Sequence, residues 1–132
     1  MMQKFMAIFI ALTTSAAGFA QQPDCYRFKE GKFRINDARA GGVVIAERRG
    51  GYQTESMETL KATVRFKITW QSDCAYTLTL DKVIRNENKI PFPSNMQVKV
   101  NIVAVNDDHS YIQEASSSVT NGTYRSEVSA VR

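Results

Sequence analysis

The stretch from Leu60 to Leu80 limits this chain more than any other. Leu60, Ala62, Val64, Phe66, Ile68 and Trp70 are apolar, and Lys61, Thr63, Arg65, Lys67 and Thr69 between them are polar. Successive strand side chains point to opposite faces, so this alternation predicts a strand with one dry face and one wet face. Gln71-Ser72-Asp73 interrupts the pattern with turn-forming residues. Cys74, Tyr76, Leu78 and Leu80 then resume it. The reading is a long antiparallel hairpin with Cys74 at the foot of its second strand.

Other strand signals surround this hairpin. Lys32–Ile35 and Val43–Glu47 read as short strands, and Tyr52–Glu55 as a short polar one. Gly50-Gly51 sits between two of them as a tight hairpin turn, because primed turns need positive φ. The fifth strand runs on to about Ile84. Pro91 and Pro93 keep Ile90–Ser94 out of any central strand and make it a loop carrying Phe92. Met96–Ala104, Tyr111–Ser116 and Thr123–Val131 complete about eight strands, with Asn121-Gly122 as a second hairpin signal. The expected fold is all-β: an antiparallel up-and-down meander closing into a lipocalin-like barrel, with a two-sheet β-sandwich as the alternative. The large inward residues favour a filled interior over one that holds a ligand.

The N-terminus is of another kind. Residues 1–20 read as a secretory signal peptide: Lys4 is basic, Phe5–Leu12 is apolar, and Gly18 and Ala20 are small. That apolar run is too short to span a bilayer. Residues 21–132 are then expected as one exported domain, periplasmic or extracellular, with no membrane span. They retain all 13 acidic residues and all but one of the 17 basic ones. So mild a positive excess gives no reason to expect a nucleic-acid partner. Two cysteines in an exported chain should pair, and Cys25–Cys74 is the only intramolecular disulfide available.

Catalytic and metal-binding signals are weak. His109 is the only histidine and stands in Asn106-Asp107-Asp108-His109-Ser110, which a hairpin turn explains better than a metal site. Asp73 reads as a turn residue. Asn121-Gly122-Thr123 fits the glycosylation pattern but also spells the turn. No cofactor, no metal and no enzymatic activity are expected. Two roles remain. One is binding a small apolar molecule, with Phe66, Trp70, Tyr76, Val98 and Phe92 as candidate pocket lining. The other is surface contact with a protein of the cell envelope, with Tyr52, Phe92 and Tyr111 as a candidate exposed patch.

Two motifs carry a resemblance. Cys25-x-x-Phe28-x-x-Gly31-x-Phe33 and Trp70-x-Ser72-Asp73-Cys74-x-Tyr76-x-Leu78, with Gln53-Thr54-Glu55 between them, resemble a group of small secreted proteins of Bacteroidota-type bacteria. The likeness covers Cys25 to about Leu80 and implies export without implying an activity. Some of that group carry a DNA topoisomerase IV label. This chain has neither a nucleophilic tyrosine motif nor a nucleotide-binding loop to support one. Gly31-x-Phe33 is also similar to the Gly-x-Trp opening of lipocalins, with Phe in place of Trp.

Overall fold

The computed structural model describes residues 23–132; the expected signal peptide lies outside them. Eight strands follow one another: β1 Gly31–Asp37, β2 Gly42–Arg49, β3 Tyr52–Met57, β4 Ala62–Ser72, β5 Ala75–Asn86, β6 Gln97–Val105, β7 Ser110–Ser117 and β8 Tyr124–Ala130. Each pairs antiparallel with the next, and β8 returns to β1, so the sheet is a closed barrel. Closure removes the free edges that a sandwich would leave. The β1–β8 seam is short, running from Phe33 opposite Ala130 to Ile35 opposite Val128.

The long hairpin is β4 and β5. Ala62, Val64, Phe66 and Ile68 are buried as the alternation requires, and Ile68 lies opposite Leu78. The register slips near Val64 and again near Phe66, so the far half of β5 bulges and leaves Val83 and Ile84 exposed. Gly50 and Gly51 have φ of 59° and 81° and join Arg49 directly to Tyr52, the two-residue turn expected there. The β7–β8 connection is longer than a tight Asn-Gly turn and spans residues 118–123.

The two ends of the barrel differ. At one end lie the Gly50-Gly51 turn, the Asp73-Cys74 turn, the 106–109 turn and a 3-10 helical turn, Tyr26–Phe28. The disulfide Cys25–Cys74, with Cα atoms 5.2 Å apart, ties this helical turn to the β4–β5 turn. Phe28 is thereby pressed into the barrel and closes it. At the other end lie the connections 38–41, 58–61, 87–96 and 118–123. Ile90 and Phe92 there pack against the edge of the core.

The structure corrects the proposed surface patch. Tyr111 is 0% exposed, because its position on β7 faces inward with Gln113. It cannot join Tyr52 in an exposed patch. Asp107 behaves as a turn residue: its Oδ1 accepts from the backbone amides of His109 (2.7 Å) and Ser110 (2.8 Å). The His109 amide above all holds the Asp107 carboxyl below its usual range. Among the described residues no helix is long and apolar enough to cross a membrane.

Candidate ligand cavity

Sequence parity decides which polar residues enter the barrel. On β2, Val44, Ala46 and Arg48 share the inner face; on β3, Gln53, Glu55 and Met57; on β7, Tyr111, Gln113 and Ala115. Among the described residues, the polar Arg48, Gln53 and Gln113 are therefore buried within a largely apolar core. A buried cation is costly unless its donors are satisfied.

Arg48 meets that demand at the closed end. Its Nε donates to Gln53 Oε1 (2.8 Å) and its Nη1 to the Phe28 carbonyl (2.8 Å). Its Nη2 donates to the Tyr76 hydroxyl (2.7 Å) and the Tyr111 hydroxyl (2.6 Å). The guanidinium also lies 4.4 Å from the Phe33 ring centroid. Phe28 and Tyr111 pack at 4.7 Å around it. Burial pushes both tyrosine hydroxyls above their ordinary pKa, against the pull of the Arg48 charge, so they stay neutral acceptors.

Gln53 links this plug to the next tier. Its Oε1 is committed to a guanidinium, which only donates, so its Nε2 must supply the other bond. Nε2 donates to Glu55 Oε1 at 2.8 Å. Burial raises the Glu55 carboxyl above its ordinary value, while the Gln53 bond and the Arg48 charge pull it back. By surface area Glu55 is only half-buried, but it lines an interior cavity, and its accessible surface opens there.

Above the plug the barrel is hollow. A cavity of about 250 Å3 runs from Gln53, Glu55, Gln113 and Tyr76 toward the opposite end. That is just below the ordinary size range of small-molecule sites. Its walls are apolar, including Ile35, Met57, Leu78 and Val100. The expected filled interior thus holds for the closed half only. Ala115 and Val98 are among the side chains that line the other half.

The mouth is ordered by one short turn. Ala38–Ala40 forms a 3-10 turn that Gly41 ends at φ 77°, with the Gly41 amide donating to the Ala38 carbonyl. A Cβ on Gly41 would lie 2.8 Å from Thr59 Cγ2, so the β3–β4 connection packs where only glycine fits. Arg39 Nη2 donates to Asp37 Oδ2 (3.1 Å), and its guanidinium stacks 3.5 Å from the Tyr124 ring centroid. Asp37, Arg39 and Thr120 belong to the cavity's rim.

Of the five pocket residues expected from sequence, Phe66, Tyr76 and Val98 line the cavity. Trp70 does not. It stands at the closed end, its ring 4.7 Å from Tyr76 and under the Lys29 ammonium at 4.9 Å. Phe92 packs beside the mouth without entering the lining. Arg48, Glu55 and Gln113 were not expected inside; their even spacing from Val44, Met57 and Ala115 was the available signal. Comparison with protein-family models, with curated proteins and with solved structures returned no match.

Proposed function

We propose that this protein binds a small, elongated, largely apolar molecule within its barrel. The observation that carries the reading is the half-hollow interior: apolar walls, an exposed rim at one end, and a few polar groups gathered at the floor. The plug of Phe28, Arg48 and Tyr111 shuts the opposite end, so a ligand enters by the mouth. The signal-like residues 1–20 and the Cys25–Cys74 disulfide support a periplasmic or extracellular setting. There the protein would hold a poorly soluble molecule away from water.

Titration with N-phenyl-1-naphthylamine, a neutral apolar fluorophore, tests this. Saturable fluorescence at one probe per chain is the expected result. Val98→Phe puts a larger ring into the cavity and should abolish that signal while the protein stays folded. Unsaturable binding, or binding unchanged in Val98→Phe, would refute the proposal.

A further inference from the structure

Building on that reading, we infer that the cavity prefers a ligand whose head donates a hydrogen bond, such as a hydroxyl or an amide N–H, over one with a carboxylate head. The obvious opposite guess is that buried Arg48 receives an anion. Its surroundings argue against this. Four of its five N–H groups are taken by Gln53, the Phe28 carbonyl, Tyr76 and Tyr111. Arg48 is also absent from the residues that line the cavity; Gln53 and Tyr76 lie between it and the hollow. The other arginine near the cavity, Arg39, stands at the exposed rim, already bound to Asp37.

Two residues that line the hollow carry an acceptor oxygen with no hydrogen-bond partner among the described residues. Gln113 is 7% exposed and lines the cavity, and its Oε1 is buried without a hydrogen-bond partner among the described residues. An unpartnered buried carbonyl is expensive, and a turn of the Gln113 amide that lets a ligand donate to it recovers that cost. Glu55 adds a carboxylate to the same lining, with one oxygen held by Gln53 and the other without a partner among the described residues. A carboxylate head would set a second negative charge in the same cavity as Glu55, and only the Gln113 amide nitrogen stands by to donate to it. A hydroxyl supplies what is missing.

Three probes of one chain length separate the possibilities: 1-decanol, methyl decanoate and decanoate, each competed against the fluorophore at pH 8. The ester removes the donor without adding charge. Decanol should bind about tenfold tighter than either, the scale of one satisfied buried hydrogen bond. Gln113→Leu should bring decanol toward the level of the ester and leave the ester unchanged, with a thermal melt confirming the fold. The wild-type ranking decides the matter even if that variant is unstable. Decanoate or the ester binding as tightly as decanol would overturn the head-group inference and leave the carrier reading intact. Displacement by none of the three would overturn the carrier reading itself.

Discussion

Arg48 is the residue on which the closed end depends. At 1% exposure it has lost its hydration, and four protein acceptors replace the water. Removing it does not simply restore an apolar core. Gln53 Oε1, the Phe28 carbonyl and two tyrosine hydroxyls would each lose a donor, and Glu55 would lose the opposing charge of Arg48. Replacing a whole polar cluster with apolar groups can be neutral, but removing one member strands the rest. Arg48→Met should therefore destabilise the protein by about 3–5 kcal/mol in urea unfolding. Arg48→Lys keeps the charge but not the planar fork that reaches four acceptors, so it should fall between the two. An Arg48→Met protein within about 1 kcal/mol of wild type would mean that those acceptors need no such donor.

The 3-10 turn Tyr26–Phe28 is an element that cannot stand alone. Three residues of 3-10 helix have poor hydrogen-bond geometry and no cooperative length. Its ion pairs, Arg27 with Asp108 and Lys29 with Asp73, lie at the surface, where such pairs contribute little. What holds it is the buried Phe28, the bond from Arg48 to the Phe28 carbonyl, and the disulfide. Cys25 and Cys74 are 49 residues apart, and a closed loop of that length is worth about 4 kcal/mol in the chain-entropy description. Urea unfolding with and without reductant should show a loss near that size. Near-ultraviolet circular dichroism of the reduced folded protein should weaken as Trp70 and Tyr76 lose their fixed packing. Coincident unfolding curves would show that the plug docks without its covalent tether.

The barrel as a whole was largely legible before its structure, because strands advertise themselves by period. The alternation from Leu60 to Trp70 located β4, and Gly50-Gly51 located the β2–β3 turn. Closure was harder to read, since it rests on pairs such as Phe33 with Ala130, which almost the whole chain separates. The site was legible only in its apolar part. A reading that sends polar residues outward places Arg48, Glu55 and Gln113 in solvent, although their spacing puts them on the inner face. Nor does aromatic character show depth, and Trp70 and Phe92 ended up near the two ends of the barrel rather than in its hollow. The polar interior has a consequence for the whole molecule's stability. Burial raises the Glu55 carboxyl, so the folded protein holds that proton more tightly than the unfolded chain does. The stabilisation this gives is fully present below the unfolded value, near pH 4.3, and is lost as pH rises through the folded value. Asp107 acts in the other sense: its lowered carboxyl adds stability above the unfolded value and loses it as pH falls. Both groups are present in wild type, but Glu55→Gln keeps Asp107 and removes only the first dependence. The difference in unfolding free energy between Glu55→Gln and wild type should therefore be small near pH 4 and should grow in the variant's favour toward pH 7. Urea unfolding of both proteins across that range measures it. A difference that stays flat with pH would place the Glu55 carboxylate in a wetter site than the inner face of β3 provides.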